Sequence, residues 1–213
     1  FDMVSQLKEL DTDDKVFIMV DSVGNLASKK EVDDAEKGSS AADMTRAKQF
    51  KSLFRMITPH LTMKDIPMVA INHTYDSQGM FPTKVVSGGT GMYYSADTIW
   101  IIGRQQDKVG TEIAGYHFVI NVEKSRFVKE KSKIPISVSW ENGVDKFSGL
   151  LDMALGYGRL TRAGAWLQHV DMETGEVLDK KFREKETHIA EFWEPILTDE
   201  KFNDWIIDKY RVG

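Results

Sequence analysis

Asp21 and Ser22 follow directly on five apolar residues, Val16-Phe17-Ile18-Met19-Val20. A run of that kind, closed by Asp-Ser-Val-Gly-Asn, predicts a buried strand that delivers a carboxylate to the end of a sheet. In open α/β folds, ligands bind at the carboxyl ends of strands. A hard oxygen there, acting through water with a hydroxyl beside it, suits the Mg²⁺ of a bound nucleotide. This is the pattern of a Walker B element. Its usual phosphate-cradling partner, G-x-x-x-x-G-K-[ST], occurs nowhere in the sequence. The chain carries half of a nucleotide site, and with Phe at its first position it reads as a fragment whose upstream part lies elsewhere.

Other groups with chemical potential are cations. Between Met44 and Lys64 stand Arg46, Lys48, Lys51, Arg55 and Lys64, with no acid among them. A second patch holds Lys124, Arg126, Lys129, Lys131 and Lys133 against Glu123 and Glu130. Such stripes on a chain of net charge −5 are compatible with phosphate binding. On charge alone, a solvated helix face explains them as simply, and Arg46 and Lys51 read that way. The histidines at 60, 73, 117, 169 and 188 are scattered without H-x-x-x-H spacing, which argues against a metal hydrolase.

The elements that must position these residues follow from periodicity. Met3, Val4, Leu7 and Leu10 predict a helix over 1–10, broken at Asp11–Asp14. Residues 24–42 read as a long polar loop, with Lys29-Lys30 and the acids Glu31, Asp33, Asp34 and Glu36. Ala47, Phe50, Leu53, Phe54 and Ile57 predict a helix over 43–61, capped by Asp43 or Thr45, with Pro59 near its end. A second buried strand over 67–71 ends on Asn72-His73, and a second long loop covers 74–90. Further strands are expected at 98–102, 116–122 and 134–140, with Asn142-Gly143 as a turn and a helix over 147–155. From about 158 the composition shifts to short strand-like pieces and a helix near 199–210. Trp100, Trp140 and Trp166 read as core. The pattern is an α/β core, 1–157, with a small C-terminal α/β subdomain, 158–213. Both long loops follow strand ends, so they should project from one edge of the sheet.

Composition bounds the rest. At 213 residues, 41% hydrophobic and 29% charged, the chain can bury a core. No apolar run approaches the roughly 20 residues of a membrane span, and no signal peptide is visible. The absence of cysteine excludes disulfides and thiolate metal sites and fits a cytosolic setting.

Taken in order, several segments resemble RecA-type recombinases, above all the UvsX branch of T-even-like bacteriophages. They are Asp21–Ala27, the basic helix, Ala70-Ile71-Asn72-His73-Thr74-Tyr75, Gly88-Gly89-Thr90-Gly91 and Val122-Glu123-Lys124-Ser125-Arg126. The resemblance covers nearly the whole chain and is clearest from Val16 to Ser132. It implies a partial RecA-like P-loop NTPase core, from Walker B onward, without the family's N-terminal polymerisation segment, Walker A loop and water-activating glutamate. The implied cofactors are ATP and Mg²⁺. The implied partners are single-stranded DNA, a homologous duplex and further copies of the chain in a helical filament. Phage single-strand-binding and mediator proteins in the infected bacterial cytoplasm are implied as well.

The resemblance also implies roles by position. Asp21 orders Mg²⁺ through water, and Ser22 holds that site's hydrogen bonds. His73 stands where most of the family has a glutamine that senses the γ-phosphate. An imidazole can donate, accept or, when charged, donate twice. His73→Gln is therefore expected to flatten the pH profile of DNA-stimulated ATP turnover, and an unchanged profile refutes a pH-sensitive relay. Lys124 and Arg126 match cations that reach the neighbouring subunit's ATP, where they stabilise charge on the transferring phosphoryl group. Lys48 and Arg55 match phosphate-touching positions. In the second loop Tyr75 and Phe81 would stack, Lys84 would meet phosphate, and Gly88-Gly89 would allow close backbone approach. Lys29 and Lys30 are the cations to back in the first loop. The alternatives are a RecA-fold hexameric helicase, which would share Walker B and trans cations, and a non-enzymatic DNA-binding or assembly module. Without Walker A, this chain alone is expected to hydrolyse ATP negligibly.

Overall fold

The computed structural model describes residues 3–11, 15–38 and 46–212. The expected cap by Asp43 or Thr45 lies outside these residues. The chain divides into two units, Phe1–Asp97 and Thr98–Gly213.

In the first unit, α1 (Met3–Glu9) packs on α3 (Arg46–Met63). Leu7, Ile57 and Ile66 form its buried centre, joined by Leu10, Val16, Ile18 and Leu53. Each such aliphatic side chain, fully buried, contributes about 1.5–3 kcal/mol. Lys64 donates to the carbonyl oxygens of Lys8, at 3.3 Å, and of Leu10. The last cation of the basic stripe thus closes the end of α1. Pro59 does not stop α3 at Leu61. The helix runs to Met63, with the Thr58 and Thr62 hydroxyls donating to the carbonyls of Phe54 and Thr58.

β1 (Ile18–Val20) and β2 (Met68–Ala70) pair in parallel, Val20 opposite Ala70. The two strand ends therefore leave the same edge, as the sequence predicts. The strands are less buried than their apolar runs suggest. Ile18 and Met68 face the core, whereas the paired Met19 and Val69 are exposed, because no further layer covers that face among the described residues.

The first long loop is not structureless. Residues 23–25 form a 3-10 turn, and α2 (Lys29–Glu36) follows. Ser28 Oγ accepts from Glu31 N at 3.0 Å while the Glu31 carboxylate accepts from Ser28 N at 2.7 Å. This reciprocal capping box satisfies two otherwise orphaned donors. Within the second loop, β3 (Thr74–Asp76) and β4 (Lys84–Val86) form a hairpin, and α4 (Thr90–Ser95) follows.

In the second unit, β5 (Thr98–Val109), β6 (Glu112–Ser125), β7 (Lys133–Ser139) and β8 (Gly143–Val144) make one antiparallel sheet. β5 and β6 run well beyond the predicted 98–102 and 116–122. Their polar outer halves, such as Arg104–Lys108, carry no apolar signal, yet backbone pairing continues to a two-residue turn at Gly110-Thr111. Trp100 and Trp140 lie exposed on this sheet rather than in a core. Trp140 instead meets Tyr116 edge-on at 5.3 Å, and Arg104 lies over the Tyr116 ring at 4.8 Å.

The C-terminal elements are α5 (Leu150–Tyr157), a sheet of β9 (Leu160–Ala163), β10 (Trp166–Val170) and β11 (Val177–Arg183), then α6 (Ala190–Leu197) and α7 (Glu200–Tyr210). Ala154, Leu160, Phe192, Trp193, Ile196 and Phe202 share one core. Ala154 and Leu160 lie on either side of the 157/158 line drawn from composition. Trp166 is also exposed, with Arg183 over its ring at 5.1 Å. After α7 the chain returns to the segment that follows β6. Lys129 N donates to Tyr210 O at 2.7 Å, Val212 N to Phe127 O at 3.1 Å, and Val128 bridges Arg211. No helix among the described residues is long and apolar enough to cross a membrane.

The His169 ring of β10 lies tilted 4.6 Å from Phe192 and edge-on 5.6 Å from Phe182. Burial, then the charges of Arg159 and Lys180, hold its imidazole below the ordinary 6.5. The folded state favours the neutral ring, while the unfolded chain takes up a proton near 6.5. Its contribution is therefore present above that pH and lost as pH falls below it. The melting temperature of the C-terminal elements should drop from about pH 6.5 downward, and His169→Phe should weaken that drop. An identical pH dependence in the variant refutes this.

Candidate nucleotide and DNA site

The site is built at the shared edge of β1 and β2. Ile71 N donates to Val20 O, and Val23 N to Ile71 O, both at 2.9 Å. The pairing thus continues past the strands and sets Asp21 beside Ile71. Asp21 is exposed, and its peptide to Ser22 is cis. Ser22 is buried, and its hydroxyl has no hydrogen-bond partner among the described residues. A buried hydroxyl without a partner is costly unless a ligand or water completes it. Beside it Asp21 offers an exposed carboxylate, the type of hard oxygen that Mg²⁺ takes directly or through water. Among the described residues no cluster of three or more metal-ligating His, Asp or Glu side chains exists.

From the end of β2, Asn72 organises the second loop. Its Nδ2 donates to Ser87 O at 2.7 Å, its Oδ1 accepts from His73 N at 2.9 Å, and Ser87 N donates to His73 O at 2.9 Å. The hairpin is thereby clamped at its base. His73 is packed against the turn after Asp21, since a Cβ on Gly24 would lie 2.5 Å from its Cδ2. His73 therefore joins the turn after β1 to the base of the second loop.

Outward from that base, Tyr75 and Phe81 are exposed, Phe81 by 84%, as is the neighbouring Met80, by 88%. Lys84 pairs with Asp76 across the hairpin at 2.9 Å. An exposed pair of this kind is worth about 0–1 kcal/mol, so a phosphate could displace it. Gly88 and Gly89 hold φ of 88° and 82°, the left-handed region that favours glycine. They lead into α4, where a Cβ on Gly88 would lie 2.5 Å from Met92 Cε.

Lys48 and Arg55 are exposed on α3. Seven residues apart, they lie on one face of the helix, separated by about 10 Å along its axis. Lys29 and Lys30 are exposed at the start of α2, where the helix dipole does not favour cations. Lys51 is solvated as expected. Arg46 is not. It is half-buried, and its Nη2 donates to Val23 O at 3.2 Å and also to Gly24 O. A cavity of about 260 Å³ opens beside it, lined by Gly24, Phe50, Asn72, Gly88 and Gly89 among others. The sequence signal for Arg46 was only its place at the head of the stripe, which does not distinguish it from its solvated neighbours.

Lys124 and Arg126 belong to the second unit. Lys124 stands opposite Ile99 near the end of β6 and is half-buried, while Arg126 is exposed just beyond the strand. The Ser125 hydroxyl accepts from the backbone N–H groups of Phe127, at 3.1 Å, and Val128, at 3.2 Å, and so shapes the turn on which Arg126 sits.

Comparison with known proteins agrees with this architecture. Residues 147–206 match the family model described as the C-terminal domain of the bacteriophage T4 recombination and repair protein. All of the chain aligns with the recombination and repair protein of Enterobacteria phage T4, 49% identical and covering 56% of that protein. Protein RecA of Chloroherpeton thalassium is 25% identical over 75% of the chain and 45% of its own length. Protein RecA of Streptomyces ambofaciens is 24% identical, over 75% of the chain and 43% of its own length. The chain thus spans about half the length of these relatives. Its fold is a partial RecA-like core with mixed helix and sheet, and the chain is similar to the recombination and repair protein of phage T4 and, at lower identity, to RecA proteins.

Proposed function

We propose that the chain is the portion from Walker B onward of an ATP-dependent recombinase that forms filaments on single-stranded DNA and pairs it with a homologous duplex. The observation that carries this reading is the parallel pairing of β1 and β2. It sets Asp21, His73 and the roots of both loops at one edge. ATP, when bound with Mg²⁺, would supply the γ-phosphoryl group whose transfer to water, with release of ADP, resets the filament. Asp21 would hold the metal through its carboxylate, Ser22 would support that site with its hydroxyl, and His73 would face the γ-phosphate. Lys124 and Arg126 act on a neighbouring subunit's nucleotide, which ties assembly to ATP binding.

Lys29, Lys30, Lys48, Arg55 and Lys84 meet the phosphates, Tyr75 and Phe81 meet the bases, and Gly88 and Gly89 let the backbone close on the strand. Contacts of this kind ignore sequence, which a protein that accepts any strand requires. A C-terminal subdomain from about 158, phage single-strand-binding and mediator partners, and a place in the bacterial cytoplasm belong to the same proposal. The test is three-strand exchange by a polypeptide completed to the relatives' length, with ATP and Mg²⁺. Joint molecules are expected. Unwinding without exchange would move the chain to the hexameric helicases, and DNA binding without turnover to assembly modules.

A further inference from the structure

We propose that Arg46 is a positioning residue that locks the turn after Asp21 to the helix carrying Lys48 and Arg55. The inference rests on the reading above, in which Asp21 lies on the nucleotide side and α3 on the DNA side.

Two successive carbonyls, of Val23 and Gly24, converge on Nη2 of Arg46. The Phe50 ring, one turn further along α3, lies 5.4 Å from the guanidinium carbon. Phe50 in turn packs with Val23 and with Met92 of α4. The guanidinium therefore sits where the turn, α3 and α4 meet. Its Nε is buried without a hydrogen-bond partner among the described residues, so the group is held through Nη2 and by packing. A planar guanidinium keeps its orientation on the ring while bonding both carbonyls, whereas an ammonium offers only a mobile point charge. On its other side Gly24 touches His73. A shift of the turn at Asp21 must then either carry α3 with it or break both bonds to Arg46. Unlike Lys48 and Arg55, Arg46 is directed to protein carbonyls. Its role is to transmit position, and the exposed cations meet the strand.

The test compares wild type, Arg46→Ala and Arg46→Lys in a polypeptide completed to the relatives' length. Binding to a labelled oligo-dT is read by anisotropy, with and without Mg²⁺ and a non-hydrolysable ATP analogue, at several salt concentrations. Coupled sites typically show a gain of about 5–150-fold. In Arg46→Ala that gain should fall towards one, with the salt slope unchanged, and Arg46→Lys should be intermediate. An equal loss in both nucleotide states, with a salt slope lower by about one, makes Arg46 a phosphate contact and overturns the proposal. So does full retention of the gain.

Hydrogen exchange on the 213-residue chain tests the lock without DNA. The amides of Asn25 and Leu26, bonded to the carbonyls of Ser22 at 3.1 Å and Val23 at 3.2 Å, should exchange faster in Arg46→Ala. Unchanged exchange overturns the proposal. Absence of DNA binding by the wild type overturns the functional reading instead.

Discussion

Replacing Lys124 and Arg126 together by alanine, in a polypeptide completed to the relatives' length, is expected to abolish joint-molecule formation. DNA-stimulated ATP turnover should fall by about 10³-fold or more, the scale of an arginine supplied to a transferring phosphoryl group. Both side chains lie at the end of β6, away from the apolar clusters of the second unit. The melting temperature should therefore change little. Mixing supplies a sharper criterion. Subunits lacking both cations but keeping Asp21 should regain turnover when mixed with Asp21→Asn subunits, because each supplies what the other lacks at a shared interface. No recovery on mixing would place the cations in their own subunit's site. Exchange at the wild-type rate by the double variant would remove them from the chemistry altogether.

Trp193→Ala should be the most destabilising single change in the C-terminal elements. Trp193 is 1% exposed, stacks on Phe147 at 5.9 Å and meets Phe192 edge-on at 5.0 Å. Its indole N–H donates to Thr187 O at 2.6 Å. Truncation removes the aromatic packing, at about 3–5 kcal/mol, and leaves a carbonyl without its donor. The melting temperature followed by circular dichroism should fall by more than about 10 °C. Trp193→Phe retains most of the packing and loses the hydrogen bond, so it should cost about 1–2 kcal/mol. Equal losses for the two variants would mean that the hydrogen bond, and not the packing, dominates.

Much of the site was legible because it lies at strand ends. Val16–Ser22 and Pro67–His73 announce themselves by apolar runs that stop on polar side chains, and parallel pairing does bring the two ends together. What the runs could not convey is burial. Apolar residues such as Met19, Val69 and Trp100 look like core in sequence, yet each lies on a face that nothing among the described residues covers.

The first loop hides its helix for a different reason. Its acids and lysines suggested solvent, while Ser28 and Glu31, three residues apart, already spelled the capping box of α2. Arg46 is indistinct in sequence because a guanidinium that bonds carbonyls and one that faces solvent are the same letter. Only the fold, by bringing the 23–24 turn to the head of α3, distinguishes them.

The return of the chain after α7 to residues 127–129 has a consequence for the order of synthesis. Arg126 is translated well before Tyr210–Val212, whose backbone groups pair with the segment that immediately follows it. Until those later residues have left the ribosome, Phe127 and Lys129 lack the partners they have in the finished fold. The turn bearing Arg126 is therefore among the last parts of the second unit to be secured, however early its own codons are read.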